Sequence, residues 1–224
     1  MNTHASEAPS TGVPPPATDA YRMTAQERRS SFSLSGLYAL RMLGLFIVLP
    51  VFALEAARYP GGNDPALVGL AMGAYGLTQA CLHLAFGAAS DRWGRKRVIV
   101  AGLLIFIVGS LVAAAADSVL GLVVGRMLQG AGAVSAVISA LLADLTRPEV
   151  RTKALAMVGA SIGLMFALSL VLAPPLAAVA GLPGLFVLTA ALAVLGVWLL
   201  LKRVPPEPAR HAAQTETGML ALLT

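Results

Sequence analysis

Two arginines lie inside segments of the sequence that are otherwise apolar. Arg41 follows Leu34, the start of the first such segment, by seven positions, and Arg126 follows Val119, the start of the fourth, by the same number. An arginine at the centre of a bilayer costs about 2.5–3.5 kcal/mol on insertion scales, so a charge inside a membrane predicts a functional role. The alternative is that each side chain extends along its helix and places its guanidinium at the membrane surface.

Other polar residues accompany these arginines. Gln129 and Gly130 follow Arg126 by three and four positions, the spacing that places side chains on one face of a helix. A charge, an amide and a glycine on one face favour a polar cavity over contact with lipid. His83 follows Gln79 by four positions in the second apolar segment. His83 is a candidate for proton relay near neutral pH, and the alternative is a neutral histidine bonded to a neighbouring helix.

The densest cluster of charge is the stretch GAASDRWGRKRV, residues 87–98, between two apolar segments. It concentrates an aspartate and four basic residues in a chain that is only 12% charged. Its basic residues are typical of a cytoplasmic loop. Asp91 is expected near the C-terminal end of a helix, where a negative charge is unfavourable. It therefore needs a partner, such as Arg92, Arg95 or a helix N-terminus.

Six apolar segments must hold these residues in place. The chain is 57% hydrophobic, and each segment is close to the roughly 20 residues that a helix needs to cross a bilayer. Composition therefore predicts an all-α integral membrane protein with six transmembrane helices in one bundle over residues 34–203. The predicted spans are 34–54, 66–90, 98–116, 119–143, 154–180 and 184–201.

The distribution of lysine and arginine predicts how the bundle is oriented. Of the sixteen Lys and Arg residues, all except Arg41, Arg58 and Arg126 lie in the two terminal segments and in the linkers after spans two and four. Because basic loops are retained on the cytoplasmic side, both termini are expected in the cytoplasm of a multi-pass protein of the cell (inner) membrane. The basic charge is thereby explained by membrane topology, and no nucleic acid partner is expected.

The segments outside the bundle are predicted from composition. Residues 1–22 are rich in Pro, Thr, Ser and Ala and are expected to form a disordered cytoplasmic tail. Thr24 and Glu27 have the spacing of a capping box, so residues 23–33 are expected to form a short amphipathic segment at the membrane interface. Met23 is an alternative start of the protein. Residues 204–224 are expected to be a cytoplasmic linker that is cut short.

Glycines and prolines predict where the helices pack and bend. Gly132 is expected at a close helix contact, and the pair Pro174-Pro175 is expected to bend or break the fifth span, either beside a transport cavity or in a bent packing helix. Glycines four residues apart let helix backbones approach closely. These pairs are Gly69 and Gly73, Gly121 and Gly125, and Gly159 and Gly163.

The charged stretch resembles the cytoplasmic-loop signature of the major facilitator superfamily, G-x-x-x-D-R-x-G-R-[KR]-x. RMLQG, residues 126–130, resembles the R-x-x-Q-G signature of its proton-coupled members. MTAQERR, LRMLG, YGLTQA and LLADLTRPEVRTKA are similar to YajR-type transporters of the drug:proton antiporter branch. Residues 173–177, APPLA, depart from the glycines and G-P pair usual there. The residues that match the first signature are Gly87, Asp91, Arg92, Gly94, Arg95 and Lys96.

The resemblance implies a fold and roles for the charged residues. The bundle would be the N-terminal half of the superfamily fold, and the echo between RMLG at 41–44 and RMLQG at 126–130 fits a 3+3 inverted repeat. Asp91, Arg95 and Asp144 would form a conformational latch between the two halves in the outward-facing state. Arg126 would support proton coupling, and the other candidates for transport and coupling are Arg41, His83, Gln129 and Gly130.

The predicted function is proton-coupled secondary transport, with export of small amphipathic molecules in exchange for protons. A metabolite symporter or uniporter and a non-transporting six-helix membrane scaffold are the alternatives. An enzyme is not predicted, because the G-x-S-x-G match at Ser161 lies in an apolar helix and not in a strand-to-helix turn. No cofactor or metal is predicted, and the single cysteine, Cys81, lies in an apolar segment.

A full member of the superfamily has two six-helix halves, and this chain supplies one. Alternating access requires one bundle to move against another, so the chain alone is not expected to transport. Its expected partners are membrane lipid, a small-molecule substrate with protons, and the missing C-terminal half. The alternative to a fragment is a half-transporter that pairs with a second copy of itself.

Overall fold

A computed structural model describes residues 21–205, and within this range the chain is helical apart from its turns. The predicted all-α class is therefore confirmed for the described residues. The predicted tail at 1–22 and linker at 204–224 lie almost entirely outside them. The helices are α1 (Ala25–Phe46), α2 (Leu49–Ala56), α3 (Pro65–Trp93), α4 (Arg95–Ala114), α5 (Val119–Ala131), α6 (Ser135–Asp144) and α7 (Pro148–Arg203).

Much of the bundle surface is apolar, as a membrane protein requires. Leu84 is 87% exposed and Val179 is 89% exposed. Such side chains suit contact with lipid and would be unfavourable as a large continuous patch in water. Among the described residues, five helical segments are long and apolar enough to cross a membrane: Ala25–Ala56, Pro65–Trp93, Arg95–Ala114, Val119–Asp144 and Pro148–Arg203.

The longest helix, α7, spans 56 residues and reverses direction at Gly181. Gly181 has φ 60° and ψ −170°, a backbone conformation that only glycine adopts readily. Arg147, which precedes α7, is hydrogen-bonded to Glu27 in the first turn of α1. Val204, which follows α7, lines a cavity together with Ala25 of the same turn. Both ends of α7 therefore lie beside the start of α1, and α7 has two arms that meet at Gly181.

The reversal falls between the predicted fifth and sixth spans, in the stretch GLPG at 181–184, and not at the proline pair before it. α7 remains helical through Pro174 and Pro175, so the helix does not break there, and the expected bend stays a prediction. Proline fixes φ near −65°, which is a helical value, so a helix can continue through proline although it loses a hydrogen bond and the ring crowds the preceding turn. The positive φ of Gly181, in contrast, cannot occur within a right-handed helix.

The start of α1 has the predicted capping box. The Thr24 hydroxyl accepts a hydrogen bond from the Glu27 N–H at 3.1 Å, and the Glu27 carboxylate accepts one from the Thr24 N–H at 2.8 Å. The helix then runs without interruption from Ala25 to Phe46. Residues 25–33 are therefore the first turns of α1, and their place at the membrane interface stays a prediction.

Four segments meet at one end of the bundle, which we call the basic end. They are the start of α1, the α3–α4 turn, the α6–α7 turn and the end of α7. Arg95 joins the α3–α4 turn to the α6–α7 turn by its ion pair with Asp144, and the Lys96 ammonium joins the α3–α4 turn to the end of α7 by a hydrogen bond to the Val204 carbonyl at 2.7 Å. These are the segments that the Lys and Arg pattern predicts on one side of the membrane.

Two apolar clusters fill the interior of the bundle. One includes Leu37, Phe106 and Ile138, and the other includes Phe52 and Phe186. All five side chains are fully buried. The clusters draw on helices that are distant in sequence, so the helices around the buried arginines are held by packing from several sides.

Candidate functional site

Arg41 is buried inside the bundle, with 1% of its surface exposed. Its Nη1 donates to the Ser135 hydroxyl at 3.0 Å, and its Nη2 donates to the Tyr75 hydroxyl at 2.9 Å and the Gly132 carbonyl at 3.3 Å. Its guanidinium carbon lies 5.3 Å from the centroid of the Phe106 ring, within cation–π range. The side chain therefore joins α1 to α3, α4 and the start of α6, and does not extend to the surface.

Arg126 on α5 is buried to the same extent, with 1% exposed. Its Nη1 donates to Gln129 Oε1 at 3.0 Å, and its guanidinium carbon lies 5.0 Å from the centroid of the Tyr75 ring. Gln129 Nε2 in turn donates to the Ser110 hydroxyl at 2.8 Å. The predicted common face of Arg126 and Gln129 is confirmed, but it packs against α3 and α4 and does not line an open cavity.

Gly130 allows α5 to lie directly against α3. A Cβ atom at this position would come within 2.3 Å of the Tyr75 carbonyl oxygen, a separation that real Cβ atoms essentially never show. Gly132, the predicted contact point, is equally restricted, since its Cβ would meet the Gly102 carbonyl oxygen at 2.4 Å. Gly130 thus permits the short distance between α5 and α3 at which Arg126 lies over the Tyr75 ring, and Gly132 permits close contact with α4.

The predicted glycine pairs differ in what they contact. A Cβ at Gly125 would lie 2.6 Å from Ala113, so this position is at a close helix contact as expected. The glycines at the other predicted contacts on α3 and on the first arm of α7 have no neighbour within 4 Å. These open positions are Gly69, Gly73, Gly159 and Gly163.

Tyr75 connects the two arginines, a role that the sequence analysis did not identify. Its hydroxyl accepts from Arg41, and its ring lies under Arg126. Tyr75 precedes Gln79 by four positions, so the helical spacing that linked Gln79 to His83 extends back to it. A search for polar side chains along that face would have found Tyr75, whereas the partners on other helices carry no such signal in the sequence.

Gln79 and His83 extend this network toward the surface of α3. Gln79 Nε2 donates to the Ser135 hydroxyl at 3.1 Å, the group that also accepts from Arg41. Gln79 Nε2 also lies 3.3 Å from His83 Nε2, and His83 is half-buried. The predicted shared face is confirmed, and it provides a hydrogen-bonded path from His83 to Arg41.

The network has no counter-charge among the described residues. None of the ion pairs among the described residues includes Arg41 or Arg126. The Nε atom of each arginine also has no hydrogen-bond partner. Hydroxyls, amides, a carbonyl and aromatic rings solvate the two positive charges. Because an unbalanced buried charge is unfavourable, such a network attracts an anion or a carboxylate that comes within reach.

The basic end has its own cluster, centred on Arg95. Arg95 Nη2 lies 2.9 Å from Asp91 Oδ1, and its Nε lies 3.2 Å from Asp144 Oδ2. Its Nη1 donates to the Ser90 hydroxyl at 2.6 Å, and that hydroxyl donates to the Gly87 carbonyl at 2.7 Å. The three residues predicted to form a latch are thus brought together, and Arg95 joins α3, α4 and α6.

Gly94 provides the turn that makes this arrangement possible. It has φ 92° and ψ 141° and separates the last residue of α3 from the first residue of α4. That positive φ favours glycine. The turn places Arg95 in the first turn of α4, within reach of Asp91 in the last turn of α3. Arg92, which also belongs to the signature, is exposed, whereas Lys96 contacts the end of α7.

A second link at the basic end was not predicted. The Glu27 carboxylate accepts from Arg147 Nε at 2.9 Å and from the Arg147 backbone N–H at 3.0 Å. The hydrogen bond between the two side chains raises the pKa of the Arg147 guanidinium above its usual value. The link ties the start of α1 to the α6–α7 turn. The capping box explains why Glu27 is present, but it gives no indication of a partner 120 positions away.

Comparison with known proteins finds a match to the Major Facilitator Superfamily over residues 34–223. The chain is 46% identical to the inner membrane transport protein YajR of Escherichia coli (strain K12) over 200 residues, which are 89% of this chain and 44% of that protein. It is 29% identical to the methylenomycin A resistance protein of Bacillus subtilis (strain 168) over 208 residues, which are 88% of this chain and 45% of that protein.

The fold is also that of a solved transporter. The crystal structure of the human organic anion transporter MFSD10 (TETRAN) matches with a TM-score of 0.71 at 20% identity, over 82% of this chain and 49% of that one. At this level of identity the match concerns the fold alone. The chain spans about half the length of the relatives it matches.

Proposed function

Since the chain belongs to the Major Facilitator Superfamily, a family of membrane transporters and not of enzymes, we propose that it forms the N-terminal half of a proton-coupled secondary transporter. The transporter exports small amphipathic molecules in exchange for protons. The similarity to a protein named for antibiotic resistance supports export. The buried contact of Arg126 with Gln129 and Tyr75 carries the proposal of proton coupling.

This proposal includes six membrane passages arranged as two inverted units of three. The two arms of α7 are each longer than the roughly 20 residues that a crossing requires, and their outer ends both lie beside the start of α1. Each arm therefore makes one passage. The basic end faces the cytoplasm with both termini, in the inner membrane, because its lysines and arginines are the residues that the positive-inside rule retains there.

Proton coupling in this scheme depends on the unbalanced positive charge of the polar network. Arg126 is buried in this arrangement, so the scheme requires α5 to move away from α3; a carboxyl group that then reaches Arg126, from the substrate or from a second half, is stabilised in its ionised form. Protonation of that group weakens its attraction to Arg126 and releases it. Arg41 holds Tyr75 in place for this exchange, Gly130 sets the distance, and Gln79 connects the network to His83 as a relay.

The Arg95 cluster acts as the conformational latch. Its ion pairs hold the α3–α4 turn against the end of α6 within this half, and we expect the cluster to latch this half to the other in the outward-facing state. The latch comprises Asp91, Arg95 and Asp144 as the charged centre. Gly87, Arg92, Gly94 and Lys96 are the remaining members of the signature around it.

A second six-helix half, or a second copy of this chain, covers the open glycines of α3 and α7. Only 22% of the most apolar stretch of α3 is buried, the lowest share among the five apolar segments. Gly73 and Gly159 leave space for another backbone there, and small residues at membrane interfaces allow close helix packing. The substrate passes between the two halves.

The experiment uses proteoliposomes that contain a pH-sensitive dye and the complete transporter of which this chain is proposed to form the N-terminal half. Addition of a drug substrate to vesicles with the unaltered protein drives proton movement, and Arg126→Ala abolishes it. Arg58→Ala, which removes an exposed arginine from the opposite end, retains the flux and controls for loss of charge. Unchanged flux in Arg126→Ala would overturn the role of Arg126, and substrate movement without protons would identify a uniporter.

A further inference from the structure

A cavity at the basic end lies outside the polar network of Arg41 and Arg126 and outside the ion pairs of Arg95. It has a volume of about 750 Å³ and lies between the first turns of α1, the start of α4 and the end of α7. Four of its lining residues are cationic: Arg29, Lys96, Lys202 and Arg203. None of the described residues that line it is acidic. The cavity therefore presents positive charge from three separate helices to one volume.

An apolar groove continues from this cavity along α4. It has a volume of about 470 Å³ and is lined on α4 by Val100, Ala101 and Leu104, with Arg97 beside Lys96 at the end nearer the cavity. Lys96 and Leu201 line both the cavity and the groove, so the two volumes adjoin. The groove extends about 12 Å from Lys96 to Leu104 at 1.5 Å per residue. It runs away from the basic end, into the apolar zone of the bundle.

The position of Lys96 is fixed at the junction of these two volumes. Its ammonium donates to the Val204 carbonyl at 2.7 Å, and this bond holds the end of α7 beside α4. Arg29 and Arg203 also line a second, smaller cavity with Arg28. The cationic surface therefore continues across the face between α1 and α7.

We propose that the cavity and groove bind an anionic phospholipid, with the headgroup phosphate among the cations and an acyl chain along Val100 and Leu104. Basic pockets between helices at the cytoplasmic side suit anionic headgroups, and the adjoining groove suits hydrocarbon. A free phosphate ion would leave the groove empty. This inference requires that the basic end lies at a membrane surface, as proposed above. It does not depend on transport or on proton coupling.

The test is native mass spectrometry of the 224-residue chain, released from detergent micelles that contain palmitoyl-oleoyl phosphatidylglycerol and phosphatidylcholine. The unaltered chain retains phosphatidylglycerol in preference. The double variant Arg29→Gln, Arg203→Gln reduces that preference about 25-fold, since each cation near the surface contributes about fivefold in binding. Arg151→Gln, exposed at the basic end outside the cavity, retains it. Equal retention of the two lipids by the unaltered chain would overturn the proposal.

A second pair of variants tests the groove. Ala101→Trp fills the groove and reduces phosphatidylglycerol binding several-fold, whereas Val108→Trp, at an exposed position on the same helix outside the groove, does not. Circular dichroism checks that each variant keeps its helix content. Inorganic phosphate at millimolar concentration does not displace the lipid. Displacement by phosphate, or equal binding by both tryptophan variants, would show a small-anion site instead of a phospholipid site.

Discussion

Arg95 and Asp144 form an ion pair between helices that are separated by 49 positions in sequence, with 3.2 Å between Nε and Oδ2. Arg95 is nearly buried at its side chain, 10% exposed, whereas the Asp144 side chain is 33% exposed. Asp91, the other carboxylate on Arg95, is more exposed at 58%. Asp144 is therefore the better shielded of the two carboxylates, and it is the one that joins α4 to α6.

The first prediction concerns this pair. Asp144→Asn removes the negative charge, so the more exposed Asp91 is the carboxylate that still pairs with Arg95. We therefore expect the free energy of unfolding to fall by about 1 kcal/mol. SDS titration of the purified chain in detergent micelles measures it. Asp117→Asn, an equivalent change at an exposed position at the opposite end, serves as the control. Equal stability of the two variants would contradict a structural role for the pair.

The second prediction concerns the contact between α5 and α3. Gly130→Ala places a Cβ against the Tyr75 carbonyl oxygen, so the helices must separate, and we expect a loss of about 1–3 kcal/mol. Gly73→Ala makes the same chemical change at a position with no neighbour within 4 Å and is expected to be neutral or slightly stabilising. The same titration compares them. The idea fails if Gly130→Ala is as stable as Gly73→Ala.

The third prediction separates the two contacts of Tyr75. Tyr75→Phe removes the hydroxyl that accepts from Arg41 and keeps the ring under Arg126, so we expect a loss of about 1–2 kcal/mol. Tyr75→Leu removes both contacts and is expected to cost more. Tyr38→Phe, at a buried tyrosine of α1 with no hydroxyl bond described for it, is the control. Similar losses for Tyr38→Phe and Tyr75→Phe would contradict the contribution of the Arg41 bond.

The fourth prediction concerns the two arms of α7 and the orientation of the bundle. In a Cys81→Ser background, single cysteines at Lys153 and Arg203 are expected to react with an impermeant thiol reagent only from the cytoplasmic side. Both positions lie within α7, each near one of its two ends, at the basic end. A cysteine at Asn63, an exposed residue in the α2–α3 turn, is expected to react only from the other side. Labelling of Lys153→Cys and Arg203→Cys from opposite sides would show that α7 crosses once.

Local patterns in the sequence predicted local structure well. The capping box at Thr24, the shared face of Arg126 and Gln129 and the grouping of basic segments at one end all depend on short spacings or on composition. The proline pair does not end the helix, because the fixed φ of proline is also compatible with a continuing helix, whereas a positive φ is not. The glycine spacing identified Gly125 correctly but could not distinguish it from Gly73, since spacing alone does not say which helix face is covered.

The partners across helices could not be predicted in the same way. Arg41 meets Ser135, and Glu27 meets Arg147, at separations of 94 and 120 positions. Such contacts depend on how whole helices pack, and a single serine or arginine gives no sign of its neighbour. Tyr75 is intermediate, because its spacing to Gln79 was visible while its contact with two arginines was not.

The reversal at Gly181 leaves little chain outside the two arms of α7. Almost no segment is available there for an antibody or a protease to bind, or for the insertion of an epitope tag, since Gly181 is the one residue of the described α7 with non-helical backbone angles. The turn between α2 and α3, residues 57–64, lies at the same end and offers several exposed positions. An epitope tag on that side is better inserted in this turn, because an insertion at Gly181 would separate the two arms.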